Sequence, residues 1–372
     1  MTKRVLLLSS VHPATDPRIL YKIAPTLLAD YEVFCALPGA GYNDRNGLKM
    51  IRLPQYKGLL ARLILAHPVV IWKCLRLRPD LVHIFVPELI PVALLFQWLG
   101  AKIIYEVQEN LYKKFEIKGY NNNLIFRKLF KYFDLSARKR FNCLFTEDAY
   151  LKEYRNLAKP SAVVHNYVSL AFTDKYSKGT EHDGFAKPAF LYSGVISMER
   201  SFDTIVAALV LLKKKYPVFL VHLFGPVRFS RDEAEQLPGY AYVKEHLIFY
   251  GYTDLRLVLK YAKQCVAGIA LLKPVADYPD SFTTKLFEYM ALKLPVVTSD
   301  FPLYQEVVEI SGCGFCISPY DSQLLADKLE WIIGNPEKTL EMGRNGRKSV
   351  ESDYNWENEK KNLLSFYKTV LN

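Results

Sequence analysis

Short apolar runs bounded by polar residues recur along the whole 372-residue chain, and no other feature limits the fold as much. Lys3 to Ser10 is the first, and Glu32 to Leu37, Lys49 to Leu53, Pro79 to Ile84, Lys102 to Tyr105 and Ser161 to Val164 follow. The pattern resumes with Ala189 to Tyr192, Val218 to Phe224, Leu247 to Tyr250, Val266 to Leu272, Pro295 to Val297 and Gly314 to Ser318. Continuous rather than alternating apolar character suits strands covered on both faces, which is the situation of a parallel sheet. Helical segments separate them. The first starts at Pro17, with Asp16 at the N-cap, and reaches about Ala29. Others are read over Leu59 to Leu77, from about Leu124, from about Phe202, from about Thr284 to Leu292, over Ser322 to Ile333 and over Pro336 to Tyr354. Strand, loop and helix in repetition predict an α/β protein of Rossmann-like, doubly wound halves. The chain is too long for one ordinary core. Polar, aperiodic Ser169 to Lys187 reads as the junction between a domain over 1–168 and a second over 187–355.

Half of the residues are apolar and no composition class is extreme, which excludes a disordered or fibrous chain. No apolar run reaches membrane-spanning length, and the start passes straight into a strand, so neither a signal peptide nor a transmembrane helix is expected. Six scattered cysteines sit mostly in apolar runs, as reduced core thiols do. The Cys313-Gly314-Phe315-Cys316 spacing has no second ligand pair nearby and reads as packing. Of the net charge of +11, residues 1–166 carry +12 (25 Lys and Arg against 13 Asp and Glu), leaving −1 for the remainder. One basic half beside a neutral one points to a domain that meets an anionic surface and a domain that handles something small.

The most informative stretch runs from Asp277 to Asp300. A turn-forming segment (Tyr278, Pro279, Asp280, Ser281) leads into the helix from about Thr284, and Pro295-Val296-Val297 starts a strand. Thr283 or Thr284 caps the helix, which leaves first-turn N–H groups and the positive dipole end to hold an anion. Lys285 stands on that first turn and Glu288 lies one turn deeper on the same face. A phosphate at the helix mouth would have a cation beside it and a carboxylate placed to accept from sugar hydroxyls. The G-x-G-x-x-G fingerprint is absent from the first strand–loop–helix, which disfavours a dinucleotide oxidoreductase.

Asp280 and Glu288, separated by seven residues and followed by Tyr289-Met290-Ala291 and Pro295-Val296-Val297, resemble the nucleotide-sugar signature of the retaining family 4 glycosyltransferases. Asp16-Pro17-Arg18-Ile19 is similar to the first loop of the members that build bacterial surface polysaccharides, including lipopolysaccharide and capsule. The resemblance implies the GT-B fold: two Rossmann-like domains facing a cleft, with the helix Trp356 to Leu371 crossing back to pack on the first. It implies a metal-independent hexosyltransferase whose only small partner is a UDP- or GDP-sugar donor, without a cofactor, acting on a lipid-linked or oligosaccharide acceptor. Arg200, Lys285 and the helix start would stabilise the departing diphosphate. Glu288 would hold ribose hydroxyls and Asp280 those of the transferred sugar, with Gly194, Thr283, Thr284, Gly251 and Tyr252 lining the nucleotide pocket. Arg18, near a helix start, would meet donor phosphate or acceptor, or else form a surface salt bridge. Four positions depart from the family pattern: Asp280 stands where Glu is usual, Val195 replaces the first diphosphate cation, Gln108 a histidine near the transferred sugar, and Lys293 a glycine. A phosphate oxygen would take the acceptor proton, so configuration is retained. A nucleotide-sugar 2-epimerase and a non-catalytic binding subunit of the same fold are the alternatives.

The segment from Lys113 to Phe141 carries nine Lys or Arg against two acids, interleaved with aromatics. It fits an anionic leaflet, placing the protein peripherally on the cytoplasmic face of the plasma membrane, or else a solvated helix with its aromatics in the core. No nucleic-acid motif accompanies it, and no nucleic-acid partner is expected.

Overall fold

The computed structural model describes residues 2–41, 47–56, 58–114, 124–177, 185 and 187–372. The chain divides into two compact units, 1–166 with 356–372 and 167–355. In the first unit, β1 (Arg4–Leu8), β2 (Glu32–Pro38), β3 (Lys49–Leu53), β4 (Leu81–Ile84), β5 (Lys102–Val107), β6 (Asn142–Phe145) and β7 (Ser161–Val163) form a parallel sheet in the order β3-β2-β1-β4-β5-β6-β7. In the second, β8 (Ala189–Ser193), β9 (Leu220–Phe224), β10 (Leu247–Gly251), β11 (Ala267–Ala270), β12 (Val296–Ser299) and β13 (Gly314–Ile317) run parallel as β10-β9-β8-β11-β12-β13.

The strands are continuously apolar because helices cover both faces. In β1, Leu6 and Leu8 enter one core while Val5 and Leu7 enter the other. In β8, Phe190 and Tyr192 point one way and Ala189 and Leu191 the other. Fully burying one such side chain is worth about 2 kcal/mol, so a single charge on either face of β1 or β8 would undo much of a strand's contribution. Strand order reverses between β1 and β4 and again between β8 and β11, and in doubly wound sheets ligands bind beyond the carboxyl ends at such reversals.

The helix Trp356–Leu371 lies on the first unit, where Leu363, Phe366, Tyr367 and Val370 share a core with Val5 and Leu7. The Trp356 indole donates to Thr26 Oγ1 at 3.0 Å. Asp16 caps the first helix as expected, accepting from the Ile19 amide at 2.9 Å. Past that start the helix widens to π geometry over Ile19–Ile23, ahead of Pro25, which has no N–H for the regular ladder. Pro68 has the same effect on the expected helix Leu59 to Leu77, which divides into Leu59–Ala61, a π segment Arg62–Ala66, His67–Cys74 and a 3-10 turn Leu75–Leu77.

One expectation is corrected. Ser169 to Lys187 is not wholly irregular, since Leu170–Tyr176 is a helix whose N-cap Ser169 accepts from the Phe172 amide. Asp174 fixes it through two bonds from Arg347, at 2.6 and 2.9 Å. Residues 178–184 and 186 of that stretch lie outside the described residues.

Candidate functional site

In the second unit the site is built on glycines at adjacent strand ends. The Gly194 amide, just past β8, donates to the Phe224 carbonyl at 2.8 Å, and the Gly225 amide, just past β9, to the carbonyl of Gly251 at the end of β10 at 2.8 Å. Gly225 has φ of 142°, and a Cβ there would stand 1.9 Å from the Gly194 carbonyl oxygen, so the two loops meet at a distance only glycine permits. Tyr252, the next residue after Gly251, is 60% exposed.

Arg200 ends a 3-10 turn, Met198–Arg200, and the chain leaves it through Ser201 in the left-handed region at φ 58°. A non-glycine residue there costs about 1–2 kcal/mol, which this turn bears while it aims the guanidinium back at the strand ends. A Cβ on Gly194 would lie 3.3 Å from the guanidinium, so Gly194 leaves the space that Arg200 fills. On its other side the guanidinium lies 5.6 Å from the centre of the Tyr278 ring.

Lys285 is the most unusual group in the unit. It stands on the first turn of Thr284–Ala291 and is 2% exposed. Its Nζ lies 3.9 Å from the centre of the Tyr192 ring, and it has no hydrogen-bond partner among the described residues. Burial, reinforced by the neighbouring Arg200 charge, holds the amine well below the ordinary lysine value, with Glu288 acting the other way. The ring that supports it is itself anchored, since the Tyr192 hydroxyl donates to the Val195 carbonyl at 2.8 Å. Thr283 occupies the N-cap position without a side-chain cap bond.

Gly194, Arg200 and Lys285 are thus brought together, with Glu288 half-buried one turn along the same helix face. Asp280 is exposed and closes the turn Tyr278–Asp280, whose tyrosine faces Arg200. Thr283 and Thr284 are half-buried at the helix start. Gly251 joins the cluster through Gly225. Sequence reasoning passed over Tyr192, although a tyrosine at the end of a strand was the available signal.

In the first unit, Arg18 turns inward. It is 3% exposed, bonds Glu106 at 2.8 and 3.2 Å, and donates to the Val164 and His165 carbonyls at 2.9 and 3.2 Å. This corrects the expectation of a surface salt bridge for Arg18: the pair is buried, and these four bonds engage most of the guanidinium donors. Burial would raise the Glu106 carboxyl, but Arg18 and His83 outweigh it and hold the group well below the usual carboxylate range. Gln108 donates from its amide to Glu106 at 2.6 Å, so it serves the same buried network.

Gln108 also forms part of the wall of a cavity of about 600 Å³ beyond β1, β4 and β5. His12, Arg62 and Glu88 add polar groups, and Phe85, Leu129, Phe130 and Phe133 supply apolar wall. Arg62 and Glu88 neutralise each other through bonds of 2.8 and 3.0 Å.

The basic segment divides in two. On the helix Leu124–Arg140, Arg127, Lys128, Lys131, Lys139 and Arg140 are exposed, as are Leu129 and Tyr132, while Phe130 is buried. Arg138 does not belong to that charged face. It bonds the buried Asp134, which also accepts from the Tyr112 and Tyr154 hydroxyls at 2.9 Å each. Phe115, Glu116 and Lys118 lie outside the described residues, and so do the side chains of Lys114 and Phe126. No helix among the described residues is long and apolar enough to cross a membrane.

Residues 181–349 match the family model described as glycosyl transferases group 1. Spore coat protein SA of Bacillus subtilis is 22% identical over 190 residues, 49% of this chain and 48% of that protein. The capsular polysaccharide biosynthesis glycosyltransferase CapM of Staphylococcus aureus is 29% identical over 92 residues, 25% of this chain and 24% of that one. The chain therefore spans about half the length of the first of these curated relatives and about a quarter of the second. Among solved structures, the sucrose-phosphate synthase of Thermosynechococcus elongatus superposes with a TM-score of 0.71 at 18% identity, covering 99% of both chains. Anabaena HepE in complex with UDP-glucose gives 0.71 at 15% identity, covering 99% of this chain and 100% of that one. The fold is that of GT-B glycosyltransferase structures.

Proposed function

We propose that this protein is a retaining, metal-independent glycosyltransferase of family 4 that moves a hexosyl group from a UDP- or GDP-sugar onto a hydroxyl of a lipid-linked or polysaccharide acceptor in cell-surface glycan synthesis. The observation that carries the reading is the buried Lys285 amine, without a hydrogen-bond partner among the described residues, beside Arg200. A buried amine without an acceptor, beside a guanidinium whose charge disfavours a second one, is an environment that a diphosphate would satisfy on both sides. The group 1 glycosyl transferase match over residues 181–349 spans both of them, and HepE, of the same fold, is known in complex with UDP-glucose.

In this reading Arg200, Lys285 and the first-turn amides of Thr284–Ala291 take up the charge that grows on the diphosphate as the glycosidic bond breaks. Lys285 stands in for the cation that Val195 does not supply. Glu288 accepts from ribose hydroxyls, and Asp280 accepts from hydroxyls of the transferred sugar. The acceptor hydroxyl attacks the anomeric carbon from the face the diphosphate leaves, and its proton passes to a phosphate oxygen, so no enzymic base is needed. Gln108 fits this, since an amide orients a hydroxyl without carrying a proton. The cavity of the first unit takes the acceptor. The exposed cations of Leu124–Arg140 hold the protein to the anionic inner face of the plasma membrane at about 1 kcal/mol each.

The test is nucleotide-sugar turnover with and without a membrane extract. Acceptor-dependent turnover is expected; acceptor-free interconversion would instead mark an epimerase, and binding without turnover a non-catalytic subunit.

A further inference from the structure

Lys285 poses a physical problem that a diphosphate-binding role alone does not resolve. An ammonium buried without a hydrogen-bonded partner, next to a guanidinium that cannot lose its charge, is strongly disfavoured; the inexpensive form is the free amine. The groups that face Nζ are Arg200 from the turn after β8, Glu288 from the same helix and Tyr192 from β8, while Tyr278 and Tyr304 face Arg200. Arg200 stays charged, and burial pushes the Tyr192 hydroxyl upward, away from neutrality. The lysine, held well below its ordinary value by burial and Arg200, is therefore the member of this group whose charge a ligand can change. An arriving diphosphate reverses its environment by supplying hydrogen-bond acceptors and negative charge that outweighs Arg200.

Resting on the donor-site reading above, we propose that the donor binds together with a proton: Lys285 is an uncharged amine before binding and an ammonium against the diphosphate afterwards. The proton comes from solvent, so one amine and one hydronium or buffer acid give one ammonium and the conjugate base. Tyr192 is then a positioning residue. Its ring holds the amine in place while uncharged and offers its π face once the amine is protonated.

The experiment is titration calorimetry of the full chain with UDP and with GDP at about pH 8, where a terminal phosphate is already fully ionised, in buffers of different ionisation enthalpy. Wild type is expected to take up close to one proton per nucleotide bound, and its Kd should weaken by up to about tenfold per pH unit across the alkaline limb. Lys285→Met should bind far more weakly and with no uptake, and Lys285→Arg should bind with no uptake and a flat pH dependence. Wild-type binding without proton uptake, or uptake that persists in Lys285→Met, would overturn the proposal while leaving the donor site standing. Failure of wild type to bind either nucleotide would remove the donor-site reading and the proposal with it.

Discussion

Each unit buries a basic side chain near the carboxyl ends of its strands, and the two are treated in opposite ways. Arg18 is met by Glu106 in two bonds and by two carbonyls. Lys285, equally removed from water, meets the face of a tyrosine and has no hydrogen-bond partner among the described residues. A paired buried charge belongs to the scaffold, because removing either member strands the other. An unpaired one costs stability in the folded protein and is what a binding site for an opposite charge looks like. The difference separates structure from function more sharply than burial or residue type, since both side chains are basic and hidden.

The comparison is sharpest when each basic side chain is replaced by a methionine. Arg18→Met leaves Glu106 buried without its guanidinium and should cost about 3–5 kcal/mol in urea unfolding. Lys285→Met should have the opposite sign, a gain of about 1–3 kcal/mol, because an amine without a partner leaves the core. A loss at both positions would show that Lys285 supports the fold as Arg18 does.

A smaller effect follows from pH. The Glu106 carboxyl lies below its unfolded value in the folded protein. Its contribution is therefore fully present above the unfolded carboxylate value of about 4.3 and is lost as pH falls through the folded one. The stability gap between wild type and Glu106→Gln should be constant near neutrality and narrow in acid. A gap that widened in acid would mean the carboxyl is protonated in the folded state.

The smallest effect concerns Lys293, which follows the helix Thr284–Ala291 in the left-handed region at φ 59°. Its amide bonds the Met290 carbonyl and the Leu294 amide the Tyr289 carbonyl, a helix ending that normally uses glycine. Lys293→Gly should raise stability by about 1 kcal/mol without changing donor affinity. An effect on affinity would tie this departure to the site.

The sheets were legible because strands covered on both faces leave unbroken apolar runs, and the Asp16 cap was legible because capping is local. What escaped reading was set by distant partners. The helix Leu170–Tyr176 is secured by Arg347, which lies 173 positions from Asp174. The inward turn of Arg18 is set by Glu106, 88 positions away. Leu59 to Leu77 has a helical composition, and only the effect of Pro68 on the ladder divides it. In the site, Lys285 and Glu288 were readable from their helical spacing, whereas the ring of Tyr192 beneath Lys285 comes from a strand far earlier in the chain.

The most direct measurement is a crystal structure with UDP or GDP bound. The account predicts diphosphate oxygens within hydrogen-bonding distance of both the Arg200 guanidinium and Lys285 Nζ, with Glu288 on the ribose. A nucleotide bound elsewhere, or bound here with Lys285 still touching only Tyr192, would contradict it.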